Sequence, residues 1–269
     1  MSGVREPSAE HCRLCGGALV KRFDALVLGR YRVDYLGCEA CGSLQTEVPY
    51  WLTEAYDSPL AAIDTGAVER CLRCQAAIVA TARIFGLRGR VLDFGGGAGL
   101  LCRLLRDAGL DAWLCDKYAQ PVYAPAFAVQ PGEVQPGGIA LLSAIEVFEH
   151  CADPAAELGA LFERRPEVLF ASTEPYRGEG VGWWYLNASA GQHVFFYSPQ
   201  GLALLAARHG YHYFDAGAFH VYTRESPSPL QRALLHLALS RRGMRLMRIW
   251  LAMRQDNRFA QADYDRLTR

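Results

Sequence analysis

Apolar positions in this chain switch between two periods. Short, nearly continuous apolar runs at Arg90–Phe94, Ala112–Cys115, Ile139–Ile145 and Val168–Ser172 read as buried strands. Between them the apolar residues recur at helical spacing. Residues 52 to 87 read as helical, with Val68, Leu72, Ala76, Val79 and Ile84 near one face and Gly86 as the stop. Leu101, Leu104 and Leu105 mark a helix over Leu100–Ala108, and Gly109 ends it. A Pro-led helix is expected over Pro154–Arg164, and Ser198-Pro199 opens another to His209. Runs at 211–215 and 218–223 read as a closing hairpin. Strands alternating with helices imply an α/β fold with a mostly parallel sheet covered on both faces.

The stretch VLDFGGGAGLL joins the first of these strands to its helix. A dinucleotide fingerprint needs a third glycine where this chain has Leu100 or Cys102, and a phosphate loop needs a lysine that is absent. What stands there is Asp93-x-Gly95-x-Gly97-x-Gly99. A carboxylate before the first glycine is a poor neighbour for pyrophosphate and a good one for a cation. The glycines admit a ligand close to the backbone, and the following helix N-terminus favours a carboxylate. S-adenosylmethionine carries ammonium, carboxylate and sulfonium together and fits that combination. Asp116 ends the next strand, 23 residues on, where an acid can accept hydrogen bonds from both ribose hydroxyls.

With the third element, IALLSAIEVFEHCADP, these motifs resemble the class I S-adenosylmethionine-dependent methyltransferases over roughly residues 68 to 224. The resemblance implies a Rossmann-like sheet of seven strands whose last members form an antiparallel hairpin, in keeping with YHYFDAGAFHVYTRE. Asp93, Gly95, Gly97, Gly99 and Asp116 are then the cofactor-binding set. The alternative is a glycine turn in an unrelated α/β protein.

Cys12-x-x-Cys15-Gly16 and Cys38-x-x-Cys41-Gly42 are two knuckles separated by 22 residues. Four thiolates close a tetrahedral sphere, so a zinc ion held by Cys12, Cys15, Cys38 and Cys41 is structural rather than catalytic. A segment this small depends on such a metal for much of its folding energy. Cys71-x-x-Cys74 falls inside a helix and reads as packing, as do Cys102, Cys115 and Cys151. The expected organisation is a zinc-binding β module at 1–48, a linker at 49–67, the methyltransferase domain at 68–225 and a basic helical tail at 226–269. Four cysteines ahead of such a domain resemble the first two domains of the sugar C-methyltransferases, and VPYWLTEAYDS is similar to their linker. That implies a sugar, nucleotide-sugar or glycan-precursor acceptor, with carbon or oxygen methylated.

Ligands of open α/β sheets bind beyond the carboxyl ends of the strands, where the aromatic loop 175–197 is expected. Trp183, Trp184 and Tyr185 form a wall for a sugar face or tuck onto the core; both readings stand. His193 is the first candidate base, since methyl transfer to a hydroxyl or carbon needs a proton removed near neutral pH. The sugar C-methyltransferases carry Glu-His in a segment like GQHVFFYS, where this chain has Gln192-His193. His193 acts alone or with Glu146 or Glu174 as assistant, and Tyr56 is a candidate group closing over donor or acceptor.

Composition narrows the partners. Lys+Arg and Asp+Glu both number 28, which gives no basic face for nucleic acid. Nine cysteines, an odd number and mostly in close pairs, argue for a reduced, cytoplasmic protein, and no signal peptide or membrane span is visible. The segment 230–258 carries seven arginines and one acid among apolar residues. It either lies on an anionic membrane, at the inner face, or packs on the protein. The competing functions are a methyltransferase for a carbohydrate, one for another small metabolite, and a non-catalytic scaffold; the oligomeric state is open.

Overall fold

The structure, a computed structural model, describes residues 10–57, 65–130, 133, 137–254 and 258–268. The chain divides into two compact units: Met1–Asp64 with Glu146–Ala160 and Thr173–His209, and Thr65–Ile145 with Leu161–Ser172 and Gly210–Arg269. The second part of the expected linker, 58–64, lies outside the described residues, as do 131–132 and 134–136 of the Pro/Gly-rich passage and 255–257 of the tail.

The first unit is built on an antiparallel sheet. Strands β1 (Leu19–Val27), β2 (Tyr31–Cys38) and β3 (Leu44–Thr46) follow each other, and β8 (Phe195–Phe196) adds a fourth beside β3. Leu44 faces Phe196 and Gln45 faces Phe195 across that last pair. The cysteine-bearing strands therefore do not stand alone; residues 173–209 complete their sheet and their core. Tyr35, Leu44, Trp51, Tyr185, Val194 and Phe196 pack together there. The segment before residue 58 is also built in. Helix α1 (Leu52–Asp57) follows Trp51, whose indole N–H donates to the Gly191 carbonyl at 2.8 Å. Helix α5 (Pro199–His209) starts at Ser198, whose hydroxyl accepts the Gly201 N–H at 2.8 Å and donates to the Cys41 carbonyl.

The second unit holds the large sheet. Strands β4 (Arg90–Phe94), β5 (Ala112–Cys115), β6 (Ile139–Ile145), β7 (Val168–Ser172), β9 (His212–Asp215) and β10 (Phe219–Thr223) lie in the order β5-β4-β6-β7-β10-β9. The first four are parallel and β10 runs antiparallel to both its neighbours. This is the Rossmann-like α/β sheet with its terminal hairpin. Among the described residues it has six strands, not the seven expected. At the outer edge of β5 only one parallel bridge forms, Leu114 to Ala128. Pro121 and Pro125, in the passage before that bridge, lack the N–H that a longer ladder needs.

Helix α2 (Ala67–Ile84) covers one face of the sheet with α3 (Leu100–Asp107), and α4 (Pro154–Glu163) lies on the path from β6 to β7. Ile78, Val91, Leu101, Leu105, Leu141, Phe170 and Val221 form the core, which Cys74 and Cys102 also join as packing residues. The tail forms helices α6 (Pro229–Leu239), α7 (Arg241–Met253) and α8 (Arg258–Leu267). Helices α6 and α7 pack on α2, and α8 on α3. Ser240 joins the first two: its hydroxyl donates to the Leu237 carbonyl (2.6 Å) and accepts the Gly243 N–H (3.1 Å). Among the described residues no helix is long and apolar enough to cross a membrane.

Candidate active site

The loop between β4 and α3 shows why the sequence spaces its glycines by two. Gly95, Gly97 and Gly99 have φ of 69°, 54° and 85°, the left-handed region that costs other residues energy. Gly96 serves a different need. A Cβ there would sit 2.9 Å from Asp93 Oδ2, so only hydrogen lets the loop fold down on the acid. Spacing rules do not single out Gly96, because its backbone angle is ordinary. A Cβ on Gly97 meets nothing within 4 Å, so the space above the loop is open.

Asp93 is 2 % exposed. Its Oδ1 accepts the Ser143 hydroxyl at 2.8 Å from the neighbouring strand β6, and its Oδ2 has no hydrogen bond. Burial pushes the carboxyl up to about 7, against the Ser143 hydrogen bond and with help from the charge of Asp116. A buried acid with one oxygen unspent is what a cationic ligand satisfies. Asp116 pins the loop: its Oδ2 accepts the Gly97 N–H at 2.9 Å, and its Oδ1 accepts the N–H groups of Tyr118 and Ala119 at 2.7 Å each. Each carboxylate oxygen has two acceptor positions, so Oδ2 keeps one for a ligand. All five residues expected to bind the cofactor thus lie on or against one loop of the second unit.

A family model described as a methyltransferase domain matches residues 69–215. The chain belongs to the methyltransferase-domain family. Solved structures similar to this methyltransferase include TnmH, at 20% identity and TM-score 0.41, with 65% of this chain covering 64% of that one. They also include Burkholderia thailandensis 1,6-didemethyltoxoflavin-N1-methyltransferase, solved with its namesake ligand and S-adenosylhomocysteine, at 16% identity and TM-score 0.48, with 71% of this chain covering 93% of that one. A third is magnesium protoporphyrin IX methyltransferase from Synechocystis PCC 6803 with bound S-adenosylhomocysteine, at 16% identity and TM-score 0.42, with coverages of 65% and 93%. The chain spans just under two thirds of TnmH. No curated protein matches it.

The three candidate catalytic residues meet in the first unit, through two residues that sequence spacing does not mark. Tyr185 donates its hydroxyl to Glu149 Oε1 at 2.7 Å and lies 3.4 Å from Glu146 Oε2. His150 Nδ1 lies 3.3 Å from the Tyr56 hydroxyl, and its ring meets that of His193 edge-on at 4.9 Å. His193 Nδ1 is 2.7 Å from the Tyr185 carbonyl. A carbonyl only accepts, so Nδ1 carries the proton and Nε2 keeps a free lone pair. Burial lowers the His193 pKa and lowers that of His150 to about 3, so both rings stay neutral at pH 7. Burial, then the charge of Glu146, raises Glu149 well above the carboxylate range. Glu146 itself holds φ of 53°, a strained value for a residue with a side chain. Tyr185, Glu149, His150 and His193 are thus desolvated groups held in their neutral forms beside Glu146.

The aromatic loop splits between its two readings. Tyr185 is 3 % exposed, and Trp183 packs at a tilt against it, Tyr176 and Phe196. Trp184 is 74 % exposed. Gln192, standing where the resembled family has glutamate, is buried and donates to the Ala55 carbonyl at 2.7 Å.

The four cysteines gather their sulfurs within 4.8 Å of one another. Cys12 and Cys41 lie 3.8 Å apart, and Cys15 and Cys38 lie 3.4 Å apart. Zinc–sulfur bonds of ~2.3 Å set tetrahedral edges of about 3.8 Å, close to these separations, so the cluster is compatible with the ion. The knuckle backbone is shaped for it. Gly17 N–H points at Cys15 Sγ (3.4 Å) and Cys41 N–H at Cys38 Sγ (3.5 Å). A Cβ on Gly17 would stand 3.0 Å from Cys38 Sγ. The cluster can hold a zinc ion, and its closed set of thiols leaves no position for a substrate.

Proposed function

We propose that this methyltransferase uses S-adenosylmethionine and transfers its methyl group to a sugar, nucleotide-sugar or glycan precursor. The donor assignment rests on one observation above the others: Asp93, buried, with an unspent oxygen under a loop of three left-handed glycines. When bound, the donor supplies a methyl group made electrophilic by a positive sulfur. Asp93 favours that charge, the loop glycines admit the ligand to the backbone, and Asp116 keeps an acceptor position for ribose. His193 is assigned the acceptor's proton through Nε2, with Tyr185 holding its ring and Glu146 and Tyr56 as neighbours. The acceptor class rests on the sequence resemblance, through the paired cysteine knuckles and GQHVFFYS. The competing reading, another small metabolite as acceptor, keeps the same donor site.

Calorimetry with S-adenosylmethionine tests the donor, and no heat at high micromolar ligand removes the reading. The affinity should also depend on pH. A carboxyl pushed up to about 7 when folded binds its proton more tightly than the unfolded chain does, so Asp93 lowers stability as pH rises from about 4 toward 7. A cationic ligand reverses the preference and releases that proton. Donor affinity should therefore rise up to tenfold per pH unit below 7 and level off above it. Asp93→Asn should flatten the profile; a flat profile in the unaltered protein contradicts the assignment. His193→Ala should lower turnover by roughly 10²–10⁴ while donor affinity holds. Turnover unchanged in that variant would take His193 out of the mechanism.

A further inference from the structure

The second unit contains a cavity of about 1200 Å³ that the donor crevice does not use. Its walls come from α2, α3, α7 and the turn between β9 and β10. The floor is apolar, with Leu72, Leu104, Phe219 and Leu251 among its residues. Its charges are one-sided. Arg73, Arg241, Arg245, Arg248 and Arg254 line it against a single acid, Asp107, which is already paired with Arg103 at 2.8 Å. Arg248 is held by Glu69 (2.5 and 3.0 Å), and Arg73 lies over the Phe219 ring. Arg241 and Arg245 are exposed and make no hydrogen bond or ion pair among the described residues.

Helix α7 explains the arrangement. Arg241, Arg245 and Arg248 recur at i, i+4 and i+7, one face of a helix. Leu246, Ile249 and Met253 recur at i, i+3 and i+7 on the adjoining face and are 67 %, 48 % and 74 % exposed. Ile249 also lines the cavity, so the stripe and the cavity are continuous. Helix α6 adds Leu230, Leu234 and Leu237, all exposed, again at i, i+4 and i+7. From 226 to 255 the sequence has six arginines and no acid. An exposed apolar stripe beside two arginines, Arg241 and Arg245, without an acidic partner among the described residues is the pattern of a helix lying in a charged interface.

We propose that the arginine-walled cavity and the α6–α7 stripe form a binding site for an anionic phospholipid surface. The arginines take the phosphate headgroups and the leucine, isoleucine and methionine side chains enter the acyl boundary. Charge complementarity selects this occupant. A second copy of the chain would bring a second row of arginines against the first, and a neutral partner would leave Arg241 and Arg245 unanswered.

The test is cosedimentation of the full chain with vesicles of phosphatidylcholine, with and without phosphatidylglycerol. Binding is expected only with phosphatidylglycerol, weakening as salt rises. Each arginine near such a surface contributes roughly fivefold. Arg241→Glu with Arg245→Glu should therefore weaken binding by roughly 25-fold or more, with the melting temperature unchanged because both side chains are exposed. Leu246→Ser with Ile249→Ser should weaken it as well. Equal binding to both vesicle types overturns the proposal, as does no binding, or a charge-reversed variant that binds like the parent. Binding of inorganic phosphate without vesicle binding also overturns it, as does self-association abolished by Leu246→Ser in a chain that ignores vesicles.

Discussion

Replacing Cys12 with serine is expected to melt the antiparallel sheet of the first unit, the largest effect of any single substitution in this chain. The core beneath β1, β2 and β3 is shared between two stretches of the first unit: Val33, Tyr35, Leu44 and Trp51 come from the cysteine-bearing segment, and Tyr185, Val194 and Phe196 from residues 173–209. A zinc ion on the four sulfurs would add stabilisation that this small core lacks. Apparent binding energies for such structural sites reach roughly 10–16 kcal/mol, and in small metallo-domains that energy is folding energy. The loss should spread beyond the knuckles. Arg13, between the two cysteines of the first knuckle, donates to the carbonyls of Thr46 (3.0 Å), Ala152 (3.0 Å) and Val194 (2.7 Å). Ser198, at the start of α5, donates to the Cys41 carbonyl. Losing the knuckles therefore loosens β8 and the segment that carries His193. The measurements are one zinc per chain in purified protein, and hydrogen exchange along Tyr31–Cys38. Protein that purifies without metal and keeps slow exchange there would falsify the structural-zinc reading, as would a Cys12→Ser chain with unaltered exchange.

How far the sequence goes depends on what sets each feature. The β4 loop was legible because three alternating glycines answer three local backbone angles, and local angles are written in local residues. The cysteine cluster was legible for the same reason: each knuckle folds on itself, with Gly16 at φ 77° and Gly42 at φ 72°. Long-range closures were not. The pairing of Gln45 with Phe195 spans 150 residues and leaves no period in either strand, so residues 1–48 looked self-contained. Tyr185 reads as one of three aromatic residues in a loop; only the folded chain sets its hydroxyl against Glu149. Among the described residues the large sheet has six strands, and the seven expected came from the family resemblance rather than from a period in the chain. The tail showed its charge and its apolar residues without showing that one face packs on α2 while the other stays exposed.

The second large effect is expected far from the glycines, at Asp263. Replacing it with alanine should destabilise the second unit by about 3–5 kcal/mol, the cost of leaving a buried charge without its partner. Arg106 on α3 is 3 % exposed and so is Asp263 on α8. The pair is bidentate, Nε to Oδ2 at 2.8 Å and Nη2 to Oδ1 at 2.7 Å, and Arg103 adds a third bond at 2.7 Å. Phe127 and Phe259 sit on the guanidinium at 3.6 and 4.7 Å, which excludes water from it. Without Asp263, Arg106 keeps Asp111 (3.1 Å) and the Ala112 carbonyl (2.9 Å), too little for a desolvated cation. Burial pushes the Asp263 carboxyl up, but the hydrogen bonds from Arg106 and Arg103 outweigh it and hold it below the usual carboxylate range. Its stabilising effect is therefore present above the ordinary carboxylate pKa and lost as pH falls through the lowered one, so the unaltered protein should be acid-labile where Asp263→Ala is not further affected. Arg106→Met in the Asp263→Ala background should recover much of the loss, because an apolar side chain has no charge to strand. The consequence for function follows from α3, which begins at the last glycine of the donor loop. Unclamping its far end should weaken donor binding without touching a residue of the crevice. Urea denaturation reads the first effect and calorimetry the second. A loss under about 1 kcal/mol, the range of exposed ion pairs, would mean that water reaches Arg106 after all.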